Sequence, residues 1–113
     1  MSDIPLLPHV EAFLRRRHGL FIDGASVRSH ADARLSVTNP ATGQVIADVA
    51  DADLADIDAA VACANRGFQL WSQTAPATRG NVLLKLADLL EHHREELAQI
   101  ETCQSGKIIQ ISR

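Results

Sequence analysis

Aromatic residues are scarce in this sequence of 113 residues, which contains one Trp, three Phe and no Tyr. Leu, Ile, Val and Phe together number 31, about 27 % of the chain, and a further 17 residues are Ala. That content argues against intrinsic disorder, yet it is low for a self-contained hydrophobic core. Because a chain of this length hides only about two-thirds of its unfolded surface on folding, we expect one small domain or part of a larger one.

Excess positive charge and long apolar runs are also missing. Lys and Arg number 11 against 14 Asp and Glu, and the resulting net charge of −3 argues against nucleic-acid binding. No apolar run approaches the ~18 residues that span a bilayer, and the amino terminus MSDIPLLPHVEAF lacks the features of a secretory signal. The two cysteines lie 40 positions apart, without metal-ligand spacing. The sequence therefore predicts a cytoplasmic protein that binds neither nucleic acid nor membrane.

One short helix followed by antiparallel strands is predicted for the first half of the chain. Pro8–Arg17 has helical spacing of apolar residues, so its basic run Arg15–His18 is expected on a solvated helix face. Alternating apolar and polar residues predict hairpins over Leu20–Ala50. Their turns are expected at Asp23-Gly24, a strong hairpin signal, and at Asn39–Gly43, which has turn chemistry.

Helical periodicity begins after residue 51. Spacings of 3 and 4 place one apolar stripe on a helix that Asp53 caps, with Asp56 three residues further on. We expect helices at Asp53–Leu70, Pro76–His92 and Arg94–Ser105. The side chains expected to be least exposed are Leu54, Ile57, Val61, Phe68, Leu83, Leu86, Leu90, Leu97 and Ile100.

Candidate catalytic residues do not form a constellation. Cys103 falls near the end of a predicted helix, where the negative end of the dipole disfavours a thiolate, so packing is favoured over catalysis. Cys63 flanks the apolar stripe and is expected in or beside the core. The adjacent His92 and His93 point about 100° apart on a helix and cannot bind one metal together. The carboxylates expected on exposed helix faces are Glu91, Glu95, Glu96 and Glu101.

Four stretches of the sequence, taken in order, carry a family resemblance. They are FIDGASV, LSVTNPATGQVIADV, ADIDAAVACANRGFQLWS and TRGNVLLKLADLLEHHREELAQIETCQSGK. Together they resemble the amino-terminal end of the NAD(P)-dependent aldehyde dehydrogenases, over about Leu20 to Arg113. The stretch Val10–Gly19 and the ending from Gly106 to Arg113 are similar more particularly to phenylacetaldehyde dehydrogenases.

The resemblance implies an incomplete domain. The chain as it stands is expected to be α+β, with β-hairpins followed by three helices, forming the amino-terminal part of an α/β coenzyme-binding domain. Residues 1–19 are interpreted as an extension with a short helix, and residues 20–113 as the incomplete amino-terminal part of the aldehyde dehydrogenase domain. The alternative from another class is a stand-alone, non-catalytic α+β module that binds a protein partner through uncovered apolar helix faces. A small enzyme using Cys103 or the histidines is the least favoured reading.

The chemistry implied by the resemblance lies beyond the motifs present here. In the family a Cys thiolate attacks the aldehyde, the thiohemiacetal transfers hydride to the nicotinamide, and a water activated by Glu releases the carboxylic acid. None of those residues, nor the nucleotide-binding turn, matches this sequence, so no catalytic or coenzyme-binding residue is assigned. The full-length family implies NAD or NADP, a small-molecule aldehyde substrate such as phenylacetaldehyde, and a homo-oligomer. The chain alone is expected to bind no coenzyme and to be inactive.

One binding site is carried over in part. Several relatives bind a monovalent cation through backbone oxygens just before the Asn-Pro turn, which here belong to Val37 and Thr38. They add a carboxylate at the fourth position of a Glu-Thr-Leu-Asp string. This sequence has Gln104 at that position. A neutral amide still offers an oxygen, but it is expected to bind K⁺ or Na⁺ more weakly.

Overall fold

The computed structural model describes residues 4–113 as a mixed helix and strand structure. The helices are α1 (Pro8–Leu14), α2 (Leu54–Gln73), α3 (Pro76–His92), α4 (Arg94–Ser105) and α5 (Ile109–Ser112). The strands are β1 (Arg17–His18), β2 (Leu20–Ile22), β3 (Ala25–Val27), β4 (Arg34–Thr38) and β5 (Val45–Ala50). Residues 1–3, which belong to the predicted extension and to the amino-terminal stretch examined for a secretory signal, lie outside the described residues.

Two compact units alternate along the sequence. The first contains the chain up to His18, together with Leu35–Val49 and Leu90–Arg113. The second contains Gly19–Arg34 and Ala50–Leu89. Strands and helices are present in both units.

A two-residue turn joins β2 and β3 in the second unit. The strands pair antiparallel, with Leu20 opposite Val27. Asp23 and Gly24 both have positive φ, 55° and 75°. Positive φ at both central residues is the requirement of a type I′ turn, whose twist matches that of the flanking strands. The predicted hairpin is confirmed.

The first unit contains a sheet in the order β1-β5-β4. β4 and β5 form the second predicted hairpin, whose turn is closed by a hydrogen bond from the Asn39 N–H to the carbonyl oxygen of Gln44, 2.9 Å long. The strand β1 was not predicted. Its Arg17 lies opposite Asp48 in a parallel pairing with β5.

The predicted helix Pro8–Arg17 is therefore three residues too long, and this expectation is wrong. Apolar spacing ends at Leu14, which is the last residue of α1. The backbone of Arg17 and His18 is taken into the sheet by a strand about 30 positions away. Such a pairing leaves no periodic signal in the local sequence, and it removes the basic run Arg15–His18 from a helix face.

The start of α2 is fixed by two carboxylates. The Asp53 side chain accepts a hydrogen bond from the Asp56 N–H (2.9 Å), and Asp56 Oδ2 accepts one from the Asp53 N–H (3.1 Å). This reciprocal capping box satisfies two N–H groups that the first helical turn leaves free. The prediction of Asp53 as N-cap is confirmed. The predicted bounds of the second and third helices also match α3 and α4, while α2 runs to Gln73 rather than Leu70.

The expected burial of the helix stripes is wrong. Leu54 on α2 is 80 % exposed and Phe68 is 63 % exposed. Large exposed fractions are also found for Ile57, Val61, Leu83, Leu86, Leu90 and Leu97, while Ile100 is half-buried. The helical period places these residues on one face of each helix. Burial additionally needs a second surface against that face, and the described residues do not supply one.

Burial in the first unit is concentrated where α1 contacts α4. Val10 is 0 % exposed, and Leu14, Ala98 and Cys103 are also buried. The inner face of α4 carries Gln99 and the small residues rather than the Leu97 that the sequence analysis placed there. A helix as short as α1 approaches most closely where its partner presents small side chains, which shifts the buried face of α4.

No helix within residues 4–113 is long and apolar enough to cross a membrane.

Candidate cation site and its surroundings

The end of β4 presents the two residues assigned to the cation. Val37 is half-buried and Thr38 is exposed. Directly after them, the buried Asn39 organises the turn: its side-chain Oδ1 accepts from the Ala41 N–H (2.9 Å), and its carbonyl oxygen accepts from the Gly43 N–H (2.8 Å). Gly43 has φ of +72°, which glycine adopts without strain. These bonds fix the position at which β4 ends.

The end of α4 lies against the same turn. Gly106 caps the helix in the left-handed conformation, and its N–H donates to the Thr102 carbonyl oxygen (3.0 Å). A Cβ at Gly106 would stand 2.8 Å from Pro40 Cγ, so only glycine allows this approach. The geometry therefore brings the segment that carries Gln104 to the turn that follows Thr38. Gln104 itself is exposed in the last turn of α4.

A groove of about 350 Å³ opens beside this contact. Its walls include Asn39 from the turn, Thr102 and Cys103 from α4, and Ile108 and Ile109 from the start of α5. Thr102 Oγ1 donates to Ser112 Oγ (3.1 Å), which ties α5 to α4. The groove is mostly apolar, and the described residues that line it include no carboxylate.

Backbone and amide oxygens suit a monovalent cation better than a transition metal, which prefers His, Cys and carboxylate ligands. Among residues 4–113, no group of three or more His, Cys, Asp and Glu is arranged to hold a metal ion. Backbone and amide oxygens of this kind would bind K⁺ or Na⁺ only weakly. The assignment of Val37, Thr38 and Gln104 stays a prediction.

A polar network connects three segments of the first unit. The Leu7 N–H donates to Gln99 Oε1 (2.9 Å), and Gln99 Nε2 donates to Glu95 Oε1 (3.1 Å). Glu95 in turn receives two bonds from Arg113, of 2.7 and 2.8 Å. Gln99 is buried, and both ends of its amide have partners. The network holds the residues before α1 and after α5 to the same helix, α4.

The carboxylates of α4 differ from their expected role. Glu91 and Glu101 are exposed, as predicted, but Glu95 and Glu96 are half-buried. The partner of Glu95 is 18 positions away rather than at helical spacing, because α5 turns back along α4. Neither this pair nor the buried Gln99 is predictable from the sequence, because neither has a signal within one helix period.

We expect part of the chain's stability to be lost in acid. Hydrogen bonds from Arg113 and Gln99 hold the pKa of the Glu95 carboxyl below its usual 4.5. A carboxyl with a lowered folded-state pKa stabilises the fold above its unfolded pKa, and this contribution disappears as pH falls through the folded value. The urea concentration at which half of the chain is unfolded should therefore decrease as the pH is lowered from about 5 to about 3. Glu95→Gln should reduce that dependence, and an unchanged pH profile would contradict the assignment.

A second carboxylate network holds the start of α2 in the second unit. The buried Asp56 accepts hydrogen bonds from Ser29 Oγ (2.8 Å) and from the His30 N–H (3.1 Å). Burial alone raises the pKa of Asp56, but these bonds, the Asp53 N–H and the charge of His30 outweigh it and lower the pKa below 3.8. The sequence analysis recognised Asp56 only as a local cap and missed its bonds to the loop.

The residues between β5 and α2 do not fit a dinucleotide. Pyrophosphate is bound at helix N-termini by a glycine-rich turn that follows a strand. Here the strand-to-helix connection reads Asp51-Ala52-Asp53, and the N–H groups of Asp53 and Asp56 are already bonded to each other's carboxylates. Two carboxylates at this end would repel a phosphate. This junction therefore lacks the features of a dinucleotide-binding turn.

The remaining candidates are structural. Cys103 is 3 % exposed in the last turn of α4, in agreement with a packing role. Cys63 is half-buried, and its thiol lies 3.4 Å from Asp23 Oδ1 in the hairpin turn. His92 and His93 are exposed, and Nδ1 of His93 lies 2.8 Å from Glu96 Oε2.

Comparison with known proteins decides the family. The profile of the aldehyde dehydrogenase family matches residues 27–113. The chain belongs to the aldehyde dehydrogenase family. The expected resemblance is confirmed, and the match includes the turn after Thr38 and all of α2, α3 and α4.

Individual members of the family are similar over nearly the whole chain. A phenylacetaldehyde dehydrogenase of Pseudomonas fluorescens is 42 % identical over 109 residues, which are 95 % of this chain and 22 % of that protein. The aldehyde dehydrogenase tropH of Talaromyces stipitatus is 38 % identical over 90 % of this chain and 20 % of its own length. An NAD⁺ complex of a Bacillus cereus aldehyde dehydrogenase superposes with a TM-score of 0.91 at 42 % identity, covering 98 % of this chain and 23 % of that chain.

The chain thus spans about a fifth of the length of the family members that it matches. Within that fifth, the described residues contain neither a candidate nucleophile exposed at a helix N-terminus nor a dinucleotide-binding turn.

Proposed function

We propose that this chain provides the amino-terminal part of the coenzyme-binding domain of an NAD(P)-dependent enzyme that oxidises an aldehyde to the carboxylic acid. The observation that carries the proposal is the superposition of 98 % of the chain on an NAD⁺-bound aldehyde dehydrogenase, with a TM-score of 0.91. The Pseudomonas fluorescens similarity makes phenylacetaldehyde the candidate substrate. In this role residues 20–113 support the domain, and the chemistry belongs to other residues of the subunit.

The remaining properties follow the family. We propose that the complete subunit acts in a cytoplasmic homo-oligomer, with small-molecule partners only. The two free cysteines of this chain suit a reducing compartment. The exposed helix faces favour the alternative, a non-catalytic module that binds a protein partner. That alternative does not explain why residues 27–113 match the aldehyde dehydrogenase family.

A covalent chimera tests the proposal. The segment of the Pseudomonas fluorescens enzyme that matches this chain is replaced by this chain, and formation of reduced coenzyme is followed with phenylacetaldehyde and NAD⁺. We expect activity within about tenfold of the parent enzyme, because sequences 42 % identical with the same backbone preserve most packing contacts. The same enzyme with the segment deleted is the control and should be inactive. A soluble, folded chimera without activity would reject the proposed role.

We also propose that the carbonyl oxygens of Val37 and Thr38, with the amide oxygen of Gln104, hold K⁺ or Na⁺. A carboxylate adds a negative charge to an oxygen site, so Gln104→Glu should strengthen cation binding, and Gln104→Leu should weaken it. The measurement is the rise in thermal midpoint of the chimera when choline chloride is replaced by KCl at equal ionic strength. Equal responses in the unsubstituted chimera and both variants would show that Gln104 is surface only.

A further inference from the structure

We propose that the apolar faces of α2 and α3 form a docking surface that binds the rest of an aldehyde dehydrogenase subunit even when that part is a separate polypeptide. The inference rests on the proposed function and goes beyond it. It names what covers the surface, and it states that this chain and the rest of the subunit bind each other without a peptide bond between them.

The face of α2 is continuous along most of the helix. It repeats at spacings of 3 and 4 and carries no charged side chain, and at 1.5 Å per residue it extends over about 25 Å. Its large members are Leu54, Ile57, Val61, Phe68 and Trp71, and each is at least 41 % exposed. Contiguous apolar surface of this kind is rare on isolated soluble proteins and marks an interface.

The apolar surface continues from α2 onto β2. A shallow groove of about 180 Å³ is lined by Phe21 from the strand and by Ile57 and Ala60 from the helix. Phe21 is 78 % exposed, although it belongs to a paired strand of the confirmed hairpin. Phe21 and the groove beside it therefore form one apolar surface that a partner could cover.

The face of α3 has the same character. Val82, Leu83, Leu86 and Leu89 fall on one side of the helix, and all are exposed. The described residues bury the apolar face of neither α2 nor α3.

The occupant follows from the comparison. The backbone of this chain is similar to that of the Bacillus cereus enzyme over 98 % of its residues, α2 and α3 included. The chain covers 23 % of that subunit, so about three quarters of the subunit is absent here. An uncharged stripe fits a hydrophobic interior surface better than the polar surface of an unrelated soluble protein.

The test uses two polypeptides. This chain carries an affinity tag and is co-expressed with the Pseudomonas fluorescens phenylacetaldehyde dehydrogenase lacking the segment that matches this chain. We expect the truncated enzyme to become soluble and to elute with the chain in equal amounts. Val61→Asp in the chain should lower recovery of the truncated enzyme at least tenfold, whereas Ala59→Asp, at an exposed position on the opposite side of α2, should leave it unchanged.

A second pair of variants protects the result against misfolding. Val61 is already exposed, so the substitution should leave the far-ultraviolet circular dichroism of the free chain intact. If it does not, Leu86→Asp on α3 is compared with Asn81→Asp on the other side of that helix.

Three results would overturn the proposal. The first is a truncated enzyme that stays insoluble or elutes without the chain. The second is equal recovery of the truncated enzyme with the face variants and with their controls. The third is a free chain that forms a dimer and that the face variants convert to a monomer. The last result would assign the surface to a second copy. The covalent chimera distinguishes failure of this proposal from failure of the proposed function. If the chimera is active but the truncated enzyme does not bind the separate chain, only docking between two polypeptides is rejected.

Discussion

Incubated with phenylacetaldehyde and either NAD⁺ or NADP⁺, the purified chain is expected to produce no reduced coenzyme above the buffer blank. Aldehyde oxidation needs a thiolate, donors for the developing oxyanion and a nicotinamide held against the reacting carbon. Cys103 is buried at the carboxyl end of α4, and the thiol of Cys63 contacts the carboxylate of Asp23. Cys63 lies inside α2 and Cys103 in the last turn of α4, so neither is an accessible nucleophile at a helix N-terminus.

The loss should be complete rather than partial. The N-terminus of α2, which follows β5, is capped by Asp53 and Asp56 and has no glycine-rich turn for the pyrophosphate. Reduced coenzyme is followed by absorbance, with Cys103→Ala as the matched variant. A signal that disappears in Cys103→Ala would contradict the account and favour a small enzyme built on that thiol. A signal that survives in the variant points to a contaminating host dehydrogenase, which repurification removes.

Replacing Val10 by Asp is expected to release α1 from α4. Val10 is the side chain in α1 with no exposed surface, so a carboxylate there would be removed from water. Burying an unpaired charge costs about 3 kcal/mol or more, which exceeds what a helix of seven residues recovers from its own hydrogen bonds. The helix should therefore leave the surface rather than bury the charge.

Hydrogen exchange measures this release residue by residue. The α1 amides of Val10→Asp should exchange at nearly the rate of an unstructured peptide, while the amides of β2 and β3 keep their protection. Ala12→Asp, at an exposed position of the same helix, adds the same charge without burial and is the control. Unchanged protection of α1 in Val10→Asp would show that its burial does not hold the helix in place.

Local chemistry explains which elements could be predicted. Asp53 with Asp56, Asp23 with Gly24, and Pro76 at the first position of α3 each act within four residues, so the sequence predicts the boundaries that they set. The pairing of Arg17 with Asp48 joins distant positions, and the sequence around Arg17 contains no trace of it.

Burial could not be predicted from periodicity alone. The stripe of α2 identifies the side of the helix that is built for contact, but Val61 and Phe68 remain exposed because the described residues lack the opposing surface. The candidate cation site shows the same division. The turn after Thr38 is predictable from Asn39 and Gly43, whereas the approach of Gly106 to Pro40 required the structure.

Hydrogen exchange of the α2 amides, in the free chain and in the chimera with the Pseudomonas fluorescens enzyme, shows whether the rest of the subunit covers this helix. The chain has the family's fold, and the contact faces of its helices are left open. We expect that the α2 amides around Val61 and Phe68 exchange at least a hundredfold more slowly in the chimera, about 2.7 kcal/mol of added local stability, because the rest of the subunit covers that face. Equal rates in the two proteins would mean that nothing in the enzyme packs there, and would contradict the account.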